Sequence, residues 1–195
     1  MTRGVVFVMS KQPAVGAVKT RLAREIGAVA AWQFYVNTLR LVLRRNGRAP
    51  FFQTRLLLTP IRARWGWPRG LCRHDQGRGD LGARMLAGLT TAPRGTPVVV
   101  VGCDIPGITV DHLREAFRGL ARADVVFGPA TDGGYWLVGF SGRRPLWRPF
   151  AGVRWSTRHA LADTTANLRG RKIAYAAPLR DVDDFSSWLL ARGVP

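Results

Sequence analysis

The sequence predicts an α/β fold in which a buried, mainly parallel sheet carries helices on both faces. Residues 98–101 are four consecutive valines, and such a run is typical of a strand that is buried on both faces. Residues 5–8, Val-Val-Phe-Val, form a second apolar run close to the N-terminus. Between them, Tyr35 and Leu39 belong to an apolar stripe with the three- and four-residue spacing of a core-facing helix over residues 28–45.

The other elements follow from local patterns. Apolar runs bounded by turn residues predict strands, which we place at residues 4–9, 51–58, 71–77, 98–101, 124–130, 135–139 and 172–176. Apolar spacing and capping residues predict helices that begin near residues 19, 28, 79, 109 and 155, with a short one after residue 184. Candidate N-caps are Asp80, either Thr109 or Asp111, and Ser156.

Length and composition predict one globular domain over residues 1–195. Apolar residues make up 47% of the chain and the mean hydropathy is −0.03, values that are ordinary for a soluble protein. No apolar run is long enough to span a membrane, and the N-terminus lacks the pattern of a signal peptide. The two cysteines have no metal-ligand spacing and do not suggest a disulfide framework. We therefore expect a cytoplasmic protein.

The net charge of +18 raises the question of nucleic-acid binding. The basic residues are scattered, with no block of five or six like charges and no zinc-finger or RNA-binding signature. Nucleic acid is therefore not favoured as a partner. A non-catalytic RNA-binding protein is a distant alternative, which steep salt dependence of RNA binding without nucleotide binding would favour. Only three of the 30 basic residues are lysines, and two of these, Lys11 and Lys19, fall within nine residues.

That segment follows the first strand and leads into a helix. Lys11, Lys19 and Arg21 are its positive charges, and Gly16 lies in its turn. Lysine acts on phosphate as a compact point charge and arginine as a bidentate fork. We interpret the segment as a phosphate-binding loop, with an ordinary solvated loop as the alternative. It is neither a Walker A loop nor a G-x-G-x-x-G motif.

A carboxylate, Asp104, follows the four-valine strand after Gly102 and Cys103. Ligands of open α/β sheets bind at the carboxyl ends of strands. Mg²⁺ is usually held by one or two carboxylates together with substrate phosphates. Asp104 is therefore a candidate metal ligand, and its alternative role is to cap the following helix or close a turn.

Two further acidic stretches are candidates. Asp132, Gly133 and Gly134 separate two apolar runs, so they form either a plain hairpin turn or a turn that faces a cleft, with the glycines admitting substrate to the backbone. Near the C-terminus, Asp181 to Asp184 contains three carboxylates in four residues. A metal shared with Asp104 would balance them, and so would arginines or a capping role for Asp183.

Six motifs occur in order along the chain and carry a family resemblance. They are Lys11-x-Pro13-x-x-Gly16-x-x-Lys19-Thr20-Arg21-Leu22, Gln76-Gly77-x-Gly79-Asp80-Leu81-Gly82-x-Arg84-Met85, Gly102-x-Asp104-x-Pro106, Gly128-Pro129-Ala130-x-Asp132-Gly133-Gly134-Tyr135, Trp155-Ser156-Thr157 and Asp181-Val182-Asp183. Together they resemble a bacterial family of candidate GT-A glycosyltransferases, once a domain of unknown function and often labelled radical-SAM/selenodomain-associated transferases. The chain is also similar to the phospholactate guanylyltransferases. The resemblance implies a nucleotide-diphospho-sugar transferase fold, a three-layer α/β/α sandwich with a mixed, mostly parallel sheet.

The resemblance also implies roles for individual residues. Asp104 would be the metal-binding aspartate and Asp183 the second ligand of Mg²⁺ or Mn²⁺. The basic loop, with Lys11, Gly16, Lys19 and Arg21, would hold the phosphates of a nucleotide. Asp132, with Gly133 and Gly134, would lie on the acceptor side, where Asp132 could orient or deprotonate a hydroxyl. The motif after Asp183 departs from the family, which commonly has Thr where this chain has Asp184.

These observations lead us to expect a metal-dependent transferase with a nucleotide-activated donor. The favoured activity is transfer of a sugar from a nucleotide-diphospho-sugar to a small-molecule acceptor, assisted by the metal and by the basic loop. The alternative is a guanylyltransferase-like nucleotidyltransferase that acts on a nucleoside triphosphate and a phosphorylated small molecule. The sequence identifies neither the donor base nor the acceptor, and it does not give the oligomeric state.

Overall fold

A seven-stranded mixed sheet lies at the centre of the structure, a computed structural model that describes residues 4–143 and 148–191. The strands are β1 (Gly4–Lys11), β2 (Phe52–Thr59), β3 (Arg73–Asp75), β4 (Val98–Gly102), β5 (Val125–Pro129), β6 (Tyr135–Phe140) and β7 (Ile173–Tyr175). Their order across the sheet is β3-β2-β1-β4-β6-β5-β7. Each predicted strand is therefore present, with ends that differ from the expectation by a few residues.

Helices cover both faces of this sheet. They are α1 (Thr20–Ile26), α2 (Ala28–Asn46), α3 (Leu81–Thr90), α4 (Val110–Arg122), α5 (Ala160–Ala166) and α6 (Phe185–Ala191). Apolar residues of α2 and α4 pack in one core cluster, and apolar residues of α3 pack in a second cluster. The predicted three-layer α/β/α sandwich is confirmed.

The central strands contribute alternate side chains to these two clusters. In β4, Val99 and Val101 belong to the cluster that contains α2 and α4, whereas Val98 and Val100 belong to the cluster that contains α3. All four valines are at most 4% exposed. The four-valine run is therefore apolar throughout because each of its faces is covered, as the sequence predicted.

The strand directions bring most of the polar loops to one edge of the sheet. Strands β1, β2, β3 and β4 are mutually parallel, and β5 is parallel to β7. Strand β6 is antiparallel to both of its neighbours, β4 and β5. Its first residues therefore lie beside the carboxyl ends of β4 and β5. The bridge between Ala130 and Leu179 carries the chain after β7 to this same edge.

The predicted helix start near residue 155 is wrong, because α5 begins at Ala160. Residues before it form a loop in which Ser156 has a left-handed backbone with φ of 59°, so Ser156 is not an N-cap. Arg154 makes a bidentate ion pair with Asp163 of α5 at distances of 2.8 and 2.9 Å. That contact ties the loop to the helix and leaves Thr157 to bond to the Arg154 carbonyl.

Two of the predicted caps are present. The Asp80 carboxylate accepts a hydrogen bond from the Ala83 amide at the start of α3. Thr109 caps α4 and forms a capping box with His112, so Asp111 is not the cap.

Both cysteines are free, Cys72 exposed and Cys103 buried. Over the described residues, no helix combines the length and the apolar character needed to cross a bilayer.

Candidate active site

A cavity of about 460 Å³ opens at the edge of the sheet where β1 and β4 end. This volume lies in the usual range for small-molecule sites. The predicted site residues that line it come from segments far apart in sequence: Lys11, Lys19, Arg21, Asp104, Asp132, Gly134 and Asp183. Gly16 and Gly133 are not among the lining residues. The fold therefore brings together most of the residues that the motifs identified.

Asp104 is held where β4 ends. A Cβ atom at Gly102 would lie 2.7 Å from the Asp104 Oδ1 atom, so glycine at that position leaves room for the carboxylate. Ile105 is 2% exposed and anchors the turn in the core. The alternative in which Asp104 caps the next helix is wrong, because Thr109 caps α4. The carboxylate is thus directed at the cavity by buried neighbours on both sides.

Asp183 reaches the same place from the C-terminal segment. The Leu179 amide donates to the Pro129 carbonyl, and Val182, which is 1% exposed, fixes the chain between Asp181 and Asp183. The cap of α6 is Asp184, whose carboxylate accepts from the Ser187 amide at 2.8 Å. The alternative in which Asp183 caps this helix is therefore wrong, and its carboxylate is available to the cavity.

The Lys19 ammonium lies between these two carboxylates. Its Nζ atom is 2.7 Å from Asp104 Oδ2 and 2.5 Å from Asp183 Oδ1. The Lys19 side chain is 5% exposed, against 29% for Asp104 and 49% for Asp183. Burial lowers the pKa of the Lys19 ammonium, but the two carboxylates together raise it above its ordinary value. The lysine is therefore charged, and it neutralises half of a paired negative site.

The other basic residues of the loop line the same cavity. Lys11 is the last residue of β1 and its side chain is exposed, and Arg21 is exposed on α1. Gly16 has a φ of 78° and open space where a side chain would begin. Lys19 itself has a left-handed backbone, with φ of 50° and ψ of 45°, immediately before α1. Such a backbone is uncommon for residues other than glycine, and here it turns the side chain inward.

Tyr35 is a site residue that sequence reasoning treated only as part of the core. Its hydroxyl donates to the Lys11 carbonyl at 3.1 Å and accepts from the Lys11 amide at 2.9 Å. It also accepts from the Cys103 thiol at 3.2 Å. The ends of β1 and β4 are therefore joined through one phenol. The sequence offered one signal for this role. The apolar stripe of α2 contains a tyrosine, whose buried hydroxyl needs a hydrogen-bond partner, where a phenylalanine would need none.

The turn over residues 132–134 contributes Asp132 and Gly134 to the wall of the cavity. The Asp132 carboxylate accepts from the Gly134 amide at 2.8 Å, which fixes the turn. A Cβ atom at Gly133 would lie 2.3 Å from the Arg158 carbonyl oxygen, and its φ is 85°. Both predicted interpretations are compatible with this geometry, since the segment is a hairpin turn and Asp132 also lines the cavity.

Asp181 is a fourth carboxylate at the site, which the sequence named as part of the acidic C-terminal stretch without giving it a role of its own. It lines the cavity beside Asp183. The pKa of Asp181 is raised to about 6. Burial is the largest cause, and the negative charges of Asp183, Asp132 and Asp104 add to it. The effect of Asp132 on this pKa indicates that the hairpin turn and the C-terminal segment share one electrostatic environment.

Aromatic side chains close the cavity on the side of α3. The indole of Trp155 donates to the Asp80 carboxylate at 3.3 Å, and its ring packs edge-on against Tyr135 at 6.3 Å between centroids. Asp80 therefore has a second role besides capping, because it fixes the loop after β6. The Trp155-Ser156-Thr157 motif thus forms a wall of the cavity instead of a helix start.

Solved structures place this architecture in a known class. The chain is similar to a candidate nucleotide-diphospho-sugar transferase from Desulfovibrio desulfuricans G20, at 26% identity and a TM-score of 0.86, over 99% of this chain and 88% of that one. It is similar in fold to a nucleotidyl transferase from Methanothermobacter thermautotroptrophicus (14% identity, TM-score 0.63, 97% and 96% covered). It is also similar in fold to a Mycobacterium tuberculosis H37Rv protein solved in complex with manganese (17% identity, TM-score 0.54, 98% and 97% covered). The fold is that of the nucleotide-diphospho-sugar transferases.

A more particular assignment comes from the sequence itself. Residues 39–157 match the family described as "Uncharacterized protein conserved in bacteria (DUF2064)". The match spans more than half of the 195 residues, and the protein belongs to this bacterial family. A comparison with curated proteins finds no match.

Proposed function

We propose that this protein is a metal-dependent glycosyltransferase that uses a nucleotide-diphospho-sugar as donor. The observation that carries the proposal is the convergence of Asp104 and Asp183 on one cation, the Lys19 ammonium, within a cavity of about 460 Å³. The two carboxylates follow β4 and β7, which two other strands separate in the sheet, so the fold itself creates a site for positive charge. The similarity to a candidate nucleotide-diphospho-sugar transferase supports the same activity.

The donor set of this site fits Mg²⁺ or Mn²⁺. Hard divalent cations are bound by carboxylate oxygens, and Mg²⁺ takes one or two carboxylates together with substrate phosphates and water. Within the described residues, no cluster of three or more His, Cys, Asp or Glu is arranged to hold a metal. Asp104 and Asp183 would therefore hold the ion together with the donor. Such an ion would neutralise charge on the leaving nucleoside diphosphate.

The basic residues of the cavity have a complementary role in the proposal. Lys11 and Arg21 face the cavity and carry the charge that binds donor phosphates. Lys19 is assigned to the same phosphates, which it reaches by leaving the carboxylates. Gly16 gives the loop its turn, with a φ of 78°. These contacts would orient the donor and stabilise the negative charge that develops on its leaving group.

Asp132, with Gly133 and Gly134, is assigned to the acceptor. The hydrogen bond from the Gly134 amide fixes the Asp132 carboxylate on the cavity wall. Asp132 lines the same cavity as the acidic residues Asp181 and Asp183. A carboxylate in this position would orient an acceptor hydroxyl and remove its proton.

Transfer of a nucleotidyl group is the second candidate. Its support is the similarity in fold to a nucleotidyl transferase, which extends over nearly the whole of both chains. The same basic loop would then bind a nucleoside triphosphate, and an acceptor phosphate would attack its α-phosphate. The products distinguish the two activities, because sugar transfer releases a nucleoside diphosphate and nucleotidyl transfer releases pyrophosphate.

A thermal-unfolding screen tests both candidates. Nucleotide sugars and nucleoside triphosphates are added one at a time, with and without Mn²⁺. A ligand at about 100 times its Kd stabilises the native state by about 2.7 kcal/mol, which raises the Tm of a chain of this size by about 5–10 °C. We expect such a rise for a nucleotide sugar with metal, followed by release of the nucleoside diphosphate.

Two variants locate the effect. Asp104→Asn should abolish the metal-dependent part of the shift. Asp111→Asn is the matched control, because it removes an exposed carboxylate of α4 that pairs with Arg114 at the surface, where an ion pair contributes little. If the metal-dependent shift persists in Asp104→Asn, the metal binds elsewhere and the proposal fails.

A further inference from the structure

The Lys19 ammonium occupies the position between Asp104 and Asp183 that the proposed function assigns to a divalent cation. It contacts one oxygen of each carboxylate, at 2.7 and 2.5 Å, and its side chain is almost entirely buried. The protein thus supplies its own cation to this pair. A divalent ion can use the same two oxygens only if the ammonium gives them up.

Metal and ammonium therefore compete for the carboxylates. Placing a divalent ion beside the Lys19 ammonium would bring like charges within a few ångströms in a half-buried site, where their repulsion is weakly screened. The metal would also gain only two protein ligands, because no group of three or more His, Cys, Asp or Glu among the described residues is arranged to hold a metal ion. Metal alone should for both reasons bind weakly.

A nucleoside diphosphate changes this balance on both sides. Its phosphate oxygens give the ammonium a new partner and give the metal the ligands that the protein lacks. Formal charges support the same exchange. The carboxylate pair with Lys19 carries one net negative charge, a divalent ion alone makes the group positive, and a diphosphate reverses that sign. Metal and diphosphate are therefore favoured together more than either is alone.

We propose that Lys19 couples metal binding to nucleotide binding. Without nucleotide, its ammonium is the counter-ion of Asp104 and Asp183 and excludes the metal. With nucleotide, it moves to the phosphates and releases the carboxylates to the metal. The proposal rests on the proposed function, since it assumes that the cavity binds a nucleoside diphosphate and a divalent ion.

Binding of Mn²⁺ measured by the paramagnetic resonance signal of the free ion tests the proposal without any turnover. The protein is titrated with Mn²⁺ alone, and then in the presence of UDP or GDP, with correction for the Mn²⁺ that each nucleotide chelates. Lys19→Met should bind Mn²⁺ alone at least about tenfold more tightly than the wild-type chain, because the competing charge is gone. A purely structural lysine predicts unchanged or weaker binding.

Lys11→Met is the matched control. It removes a lysine charge from the same cavity, and Lys11 forms no ion pair with either carboxylate within the described residues. Its affinity for Mn²⁺ alone should stay within about twofold of the wild-type value. A gain in Lys11→Met equal to that in Lys19→Met would overturn the proposal, because general electrostatics would then explain both.

Coupling gives a second readout. In the wild-type chain the nucleotide should raise Mn²⁺ affinity at least about tenfold, and Mn²⁺ should raise nucleotide affinity by the same factor. In Lys19→Met this factor should fall by at least about fivefold. If Lys19→Met does not fold, Lys19→Gln replaces it, because glutamine keeps hydrogen bonding without the charge. An undiminished factor overturns the role of Lys19 and leaves the proposed function intact. Absence of Mn²⁺ binding in every chain, with or without nucleotide, overturns both.

Discussion

Replacement of Tyr35 by phenylalanine should loosen the junction between β1 and β4 while leaving the core filled. The ring keeps its volume within the apolar stripe of α2, so the change removes a single oxygen atom. The pKa of the Tyr35 hydroxyl is raised, mainly by burial and to a smaller extent by the neighbouring Cys103 thiol. The wild-type hydroxyl therefore stays protonated and donates to the Lys11 carbonyl throughout the neutral range.

The magnitude follows from the bonds that the hydroxyl makes. It bonds to the Lys11 carbonyl at 3.1 Å and to the Lys11 amide at 2.9 Å, and each such bond contributes about 0.5–1.5 kcal/mol. The Cys103 thiol at 3.2 Å is a weak donor and adds little. Loss of all three should lower the free energy of unfolding by about 2 kcal/mol, which corresponds to about 4–8 °C in Tm.

Urea unfolding followed by circular dichroism measures this free energy. Tyr175→Phe is the matched control, because the Tyr175 side chain on β7 is 57% exposed and no hydrogen bond of its hydroxyl is present among the described contacts. The control should remain within about 0.5 kcal/mol of the wild-type chain. If Tyr35→Phe is equally stable, with an unchanged dependence on urea, the phenol does not hold the two strands and the reasoning is wrong.

Three further predictions concern the turn, the cysteines and the acceptor side. Asp132→Asn should leave donor affinity within a few-fold while transfer falls by roughly 10²–10⁴, the usual contribution of a positioned base; weakened donor binding with normal turnover at saturation would contradict the assignment. Gly133→Ala should cost several kcal/mol in thermal unfolding because its Cβ meets a backbone carbonyl at 2.3 Å, whereas Gly16→Ala, with a similar φ and open space, should cost about 1 kcal/mol. Iodoacetamide at pH 8 should label exposed Cys72 and spare Cys103, whose burial raises its pKa to about 11; mass spectrometry that finds both labelled in the native protein would refute this.

The presence of the sheet strands could be predicted from the sequence because burial requires apolar residues. A strand covered on both faces must be apolar at every position, and residues 98–101 meet that condition. The order of the strands could not be predicted in this way, because β6 enters between β4 and β5 through contacts that only the folded chain makes. The start of α5 was missed for a related reason, since the left-handed backbone of Ser156 and the contact between Arg154 and Asp163 belong to a loop that the local capping pattern does not describe.

The candidate site was predictable as a set of residues and not as an arrangement. Lys19, Asp104 and Asp183 were each identified from their motifs, yet Lys19 is 85 residues from Asp104 and 164 residues from Asp183. No local pattern indicates that one ammonium meets both carboxylates. The hydroxyl of Tyr35 could not be placed for the same reason. Helical periodicity predicts that the ring is buried, but it does not predict which groups the hydroxyl oxygen contacts.

The reversed direction of β6 divides the cavity lining into two parts. One part is supported by the parallel strands, and the other belongs to loops outside them. The parallel strands β1 and β4 support Lys11 and Asp104, and their register is set by the central core. The hairpin that leads into β6 and the loop that contains Trp155 are outside that register. Substitutions and insertions in these two segments can therefore reshape one wall of the cavity while the opposite wall keeps its geometry.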